Sequence, residues 1–175
     1  MITEQNQRGE IARILAGLMM TAARTAPKGR GRDTLYIAMA GDSEIIVIAE
    51  KMKELAISLD MKFFARDAEN LLKSDALVLL GTGIGSLGLK SCSYCGYSDC
   101  AEKNQFPKVP CAFNLTDLGI ALGSAAAVAA AHHADNRIMF SIGKAVLELG
   151  WVPEEISVMY GIPISVGPKN IFFDR

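Results

Sequence analysis

At 175 residues, with 50% hydrophobic and 21% charged side chains, the chain is long enough for one well-filled core and too apolar to be disordered. A net charge of −1 excludes the broad basic field that draws proteins to nucleic acid or to an anionic membrane. Met1 to Glu10 is polar, with no basic stretch leading into an apolar one, so the expected location is cytoplasmic.

Gly9 to Ala26 places Ile11, Ile14, Leu15, Leu18 and Met19 at helical spacing, continued by Ala22 and Ala23, until Pro27 and Gly29 end it. A basic loop, Lys28-Gly29-Arg30-Gly31-Arg32, leads to a predicted strand from Thr34 to Ala40. Gly41 and Asp42 open a helix to Leu59, with Ile45, Ile48, Met52, Leu55 and Leu59 on one face. A short helix is expected over Asp67 to Leu72. Ala76 to Leu80 is an unbroken apolar run of strand length, which predicts a strand buried on both faces.

From Gly81 to Pro110 the periodicity is gone and glycine, serine and cysteine dominate; loops this long inside a compact domain are usually functional. The pattern resumes with Asn114 as the expected cap of a helix whose third position is Asp117, favourable at the positive end of the dipole. Gly119, Gly123 and an alanine run on that helix suit a close helix–helix contact, extending to a homodimer. The stretch Leu115 to Ala131 is too short and too weakly apolar to span a bilayer. A further helix is expected from Asn136 to Leu149, ended by Gly150. A strand follows from Ile156 to Ile164, broken by Gly161 and Pro163, and Ile171 to Phe173 reads as a final edge. Interspersed helices and strands without an internal repeat predict α/β or α+β architecture in a single domain, residues 1–175, with a cysteine-rich metal-binding loop at 81–111.

That loop holds every cysteine in the chain: Cys92, Cys95, Cys100 and Cys111, spaced C-x2-C-x4-C-x10-C. Four soft thiolates in a reducing compartment are a ligand set for an iron–sulfur cluster or a zinc ion. Gly96 after Cys95 permits a left-handed turn and leaves its amide open to a cluster sulfide, while Pro110 stiffens the approach to Cys111. Structural zinc more often uses two C-x2-C pairs, and the second pair is absent. The four-iron (4Fe-4S) reading therefore leads, with zinc and free or disulfide-forming thiols as alternatives. An electron carrier of this kind requires a redox partner protein.

Cys92-x2-Cys95-Gly96-x3-Cys100 resembles the four-iron motif of corrinoid iron–sulfur proteins and related electron-transport subunits, in which a later cysteine closes the set. The whole chain resembles an uncharacterised prokaryotic family described as ferredoxin domain-containing. A wider resemblance, to the nitroreductase family of flavin enzymes, rests on Ala22-Ala23-Arg24-Thr25-Ala26-Pro27, on Asp117-Leu118-Gly119 opening an alanine-rich helix, and on Tyr160-Gly161-Ile162-Pro163. It implies a nitroreductase-like fold and FMN at a dimer interface, for whose phosphate Lys28, Arg30 and Arg32 are the candidates.

Other signals weigh less. Gly83-Ile84-Gly85-Ser86-Leu87-Gly88 fits a dinucleotide fingerprint, but no helix opens there, and it reads as the lead-in to the cysteines. His132 and His133 close a helix, where capping is their expected role. Asp99 is expected to be a solvated loop carboxylate, Tyr94 and Tyr97 to shield or pack the loop, and the eight methionines to fill the core.

Overall fold

The computed structural model describes residues 1–173. Helix α1 (Glu4–Thr25) is followed by a single 3₁₀ turn (Gly29–Gly31), strand β1 (Leu35–Ala40), α2 (Asp42–Ser58), α3 (Lys62–Leu71) and β2 (Ala76–Gly83). After the cysteine loop, which contains a short helix α4 (Cys100–Asn104), come α5 (Ala112–Ala131), β3 (Asp135–Asn136), α6 (Phe140–Glu148) and β4 (Ile156–Ser165). The four strands form one antiparallel sheet in the order β1-β2-β4-β3.

Strand β2 is the centre of the molecule. Its side chains alternate between the two faces of the sheet, so Ala76, Val78 and Leu80 join a core with α1 and α5, while Leu77 and Leu79 join a second core with α2, α3 and α6. Every residue from Ala76 to Thr82 is buried, as the continuous apolar run predicts. Helices cover both faces of an antiparallel sheet, so the class is mixed α/β in three layers.

Several elements depart from the sequence reading for identifiable reasons. In α1 the buried stripe is Ala12, Leu15, Ala16, Met19 and Ala23, and the larger Ile11, Ile14 and Leu18 face outward at 49%, 60% and 48% exposure. Small residues win the inner face because α1 lies close against α5, whose inner face is likewise alanine-rich at Ala121, Ala125 and Ala129. Gly119 and Gly123 face away from that contact, with open space where a Cβ would stand, so they take no part in helix packing within the chain. The full twenty residues of α5 are long and apolar enough by composition to cross a membrane, more than the shorter stretch suggested; here its inner face packs on α1 and the sheet.

Strand β4 runs unbroken through Gly161 and Pro163. Gly161 exchanges both backbone bonds with Met139 on the β3 side (2.8 and 3.0 Å), which places the proline's missing N–H on that same side two residues later. There β3 pairs only with Ile164 and Ser165, so the proline falls between the two contacts and leaves no ladder bond unmade. The expected helix from Asn136 starts only at Phe140 because Asp135 and Asn136 pair with the sheet edge. Residues 171–173 form a turn rather than an edge strand, and the helix expected from Asp67 begins earlier, at Lys62.

Gly143 is where α6 touches the sheet. A Cβ there would drive into the carbonyl of Met159 and the amide of Tyr160, both backbone, so nothing can yield cheaply. Gly143→Ala is expected to cost about 3 kcal/mol, the upper range for overpacking. Gly119→Ala, on an exposed helical position with free space, is expected to stabilise by about 0.5–1 kcal/mol. Urea unfolding midpoints of the two variants check both signs.

Candidate metal centre

The cysteine loop leaves β2 at Gly83 and returns at the first turn of α5. Asn114 ties the two ends together. It is 2% exposed, and its Nδ2 donates to the carbonyls of Gly83 (3.1 Å) and Gly85 (2.8 Å). Asn114 is therefore not the cap of α5; that position belongs to Cys111, whose own amide donates to Ile84 O at 3.1 Å. Asn114 Oδ1 is buried without a partner. Asp117 also turns inward, at 4% exposure, and its carboxylate accepts the Gly29 amide through both oxygens (3.1 and 3.0 Å).

Through Asp117 the basic loop is clamped onto the cysteine loop. Gly29 sits so close to Leu87 and Phe113 that a Cβ would lie 2.6 Å from Leu87 Cδ2, which is why glycine is needed there. Arg30 Nη1 donates to Gly88 O (3.0 Å) and Leu87 O (3.4 Å), and Arg32 Nη1 to Leu87 O (3.4 Å). Lys28 Nζ bonds the carbonyls of Arg24 (2.6 Å) and Ala26 (2.9 Å) at the end of α1. The three cations proposed for a phosphate thus bond main-chain carbonyls, and two of them brace the lead-in to the cysteines. Beside them, Arg24 bonds Asp33 at 2.6 Å. Burial works to raise the Asp33 carboxyl, but hydrogen bonds from Arg24 and the Leu35 amide outweigh it and hold the group below its ordinary value.

Inside the loop the backbone is bent sharply. Ser91, Ser93 and Gly96 have φ of 55°, 52° and 86°, and the Gly96 amide closes a turn onto Ser93 O at 3.0 Å. Asp99 caps α4, accepting the Glu102 amide at 2.8 Å, and Glu102 reaches back to accept the Ser98 amide and hydroxyl, both at 2.7 Å. These bonds from the Ser98 hydroxyl and amide hold the Glu102 carboxyl below its usual value. Asp99 is the exposed loop carboxylate expected, and it also caps α4. Tyr94 stacks on Phe113 (centroids 5.6 Å apart, 4° between planes) and Tyr97 on Phe106 (5.2 Å, 27°).

All four cysteines line one small pocket: Cys111 is buried, Cys92, Cys95 and Cys100 are half-buried, and all are free thiols. Lys103 lines the same pocket, 3% exposed, a residue that nothing in the sequence singled out. Among the described residues no three His, Cys, Asp or Glu side chains are gathered closely enough to hold a single metal ion. The space between the side chains is about 20 Å³, room for one water, so anything larger requires the loop to open between its anchored ends. The donor set, four soft thiolates lining one pocket, suits iron–sulfur ligation, in which each thiolate binds a different iron instead of sharing one. Next to this pocket, and sharing Ser86 and Leu87 with it, lies a cavity of about 420 Å³ bordered by Arg32, Thr34, Tyr36 and Glu155. His132 and His133 lie at the far end of α5 and join neither pocket.

Comparison with known proteins adds two kinds of similarity. The family described as "Uncharacterized protein containing a ferredoxin domain (DUF2148)" matches residues 108–175, a span that includes Cys111 but not the other three cysteines. An uncharacterised protein of Archaeoglobus fulgidus is 40% identical over 183 aligned positions, covering 100% of this chain and 97% of the relative. Among solved structures, a nitroreductase family protein from Clostridium novyi NT aligns with a TM-score of 0.61 at 15% identity, over 91% of this chain and 78% of that one. A nitroreductase with bound FMN from Desulfitobacterium hafniense DCB-2 gives 0.61 at 16% identity, over 89% and 78%. The fold is nitroreductase-like, as the landmarks around Pro27, Asp117 and Gly161 suggested.

The αL turn at Gly96 has open space around it, so adding a methyl changes only backbone strain. Gly96→Ala is expected to strain that turn by about 1 kcal/mol, giving roughly fivefold faster amide exchange at position 96 and a lowered global unfolding midpoint. Hydrogen exchange read by mass spectrometry measures it.

Proposed function

Because the chain belongs to the family of uncharacterised proteins containing a ferredoxin domain, we propose that it is an electron-transfer protein carrying one four-iron cluster on Cys92, Cys95, Cys100 and Cys111. The observation that carries this reading is that all four cysteines, distributed over twenty positions of an otherwise aperiodic loop, line the same pocket. The bound cluster supplies a one-electron couple. The residues around it have separate tasks. Tyr97 and Phe113, each stacked on a more exposed ring, line the pocket, and Arg30, Arg32 and Asn114 hold the loop's entry; the Gly96 amide, expected to be open to a cluster sulfide, is instead bonded to Ser93 O. Zinc is the lesser reading, since structural zinc more often uses two C-x2-C pairs and the second pair is absent.

Iron and sulfide analysis of protein purified without oxygen tests it. About four irons per chain with a broad thiolate-to-iron absorbance are expected, and Cys111→Ser is expected to lower the iron content. A colourless protein with one zinc per chain would overturn the reading.

A second reading is a reductase that pairs the cluster with FMN. The cavity of about 420 Å³ beside the cysteine pocket supports it, with Arg32, one of the three basic candidates, on its border. Flavin in this position would stand one residue layer from the cysteines, at Ser86 and Leu87. Titration with FMN, followed by flavin fluorescence, is expected to saturate and to weaken about tenfold in Arg32→Ala, the size of one charge-assisted bond. Absence of saturable quenching rejects this arm without touching the first.

A further inference from the structure

Lys103 is 3% exposed, and its Nζ donates to Ile84 O at 2.9 Å. An ammonium has three donors, and burying its charge is costly without an opposite charge nearby. Among the described residues no ion pair includes Lys103; the seven that exist lie elsewhere. What Lys103 does border is the pocket of Cys92, Cys95, Cys100 and Cys111. Its neighbouring acids are otherwise engaged: Asp99 caps α4 and Glu102 bonds Ser98. A cysteine pocket that fills with thiolates and a reducible cluster supplies the negative charge that the buried ammonium lacks.

We infer that Lys103 is a positioning residue that serves as the internal counter-charge of the cysteine pocket, favouring the reduced form of the cluster over the oxidised. The inference rests on the four-iron reading of the pocket. Its sign follows from charge alone. The cluster gains one electron on reduction, supplied by an external donor such as dithionite, and the reduced form carries one more negative charge. A fixed positive charge in a water-poor pocket stabilises that form more strongly. Lys103 also eases the gathering of four mutually repelling thiolates. The carbonyl bond to Ile84 brings the ammonium to the root of the loop, where Cys111 N also bonds the same oxygen.

The test separates charge from hydrogen bonding and packing. Lys103→Gln keeps a donor for Ile84 O and a similar length while removing the charge; Lys103→Arg keeps the charge. Each protein is loaded with cluster, its iron counted, and its reduction titrated anaerobically with dithionite against dyes of known potential. For Lys103→Gln the ratio of reduced to oxidised cluster at a fixed potential is expected to fall at least tenfold, about 59 mV for a one-electron couple, and for Lys103→Arg to stay near the native value. Loss of cluster in the glutamine variant alone supports the same role. A glutamine variant with full iron and the native potential overturns the inference, and so does loss of cluster in both variants, which would mark a packing role. Iron counted on the native protein keeps the two readings apart: a native protein that takes up no cluster removes both, while a loaded one with an unmoved potential removes only this one.

Discussion

The arrangement around the candidate centre depends on one buried amide. Asn114 donates to the carbonyls of Gly83 and Gly85, where β2 has run out of ladder partners and the chain turns away from the sheet. Asn114 supplies donors to two part-buried carbonyls from a single side chain. Because the same residue sits one turn into α5, it also fixes where that helix meets the sheet. Cys111, its cap, is thereby placed against Ile84, at the root of the loop that carries the other three cysteines. A side chain of another shape at this position would lose two of the bonds that tie the loop's ends, leaving those of Cys111 N and Lys103 Nζ to Ile84 O.

Around that tie the rest of the site follows by contact. Asp117, one turn further along α5, accepts the Gly29 amide, and the basic loop then lies close enough for Arg30 and Arg32 to reach Leu87 and Gly88. A chain segment that looks like an anion-binding loop in sequence is thus used, in part, as a brace. The brace holds the ends of the cysteine loop and leaves its middle to local turns, where Ser91, Ser93 and Gly96 take left-handed backbone and Glu102 bonds Ser98.

The nitroreductase-like frame and the cysteine loop are separable parts. The frame is a helix-covered antiparallel sheet whose two cores, one on each face, contain none of the four cysteines. The loop adds the thiols, and the frame adds a cavity beside them. The two spaces share a border at Ser86 and Leu87.

Much was legible in the sequence wherever a local rule applied. The unbroken run from Ala76 to Leu80 meant a strand buried on both faces, the Ile45–Leu55 spacing meant an amphipathic helix, and the four cysteines, close in sequence, line one pocket. The failures share one cause, the presence of a partner far away in the chain. Ile11, Ile14 and Leu18 look like a core stripe until the close approach of α5 gives the inner face to alanines. Pro163 looks like a strand breaker until β3 proves too short to reach it. Asn114 and Asp117 look like a helix start until their side chains find Gly83, Gly85 and Gly29, and Lys103 carries no sequence signal because only the folded loop buries it beside the thiols. Periodicity and ligand type are properties of neighbouring residues, so the sequence alone determined the elements and the thiol set. Burial, charge pairing and the anchoring of loops arise between segments far apart in the chain, as with Gly29 and Asp117, eighty-eight positions apart, and only the tertiary structure could decide them.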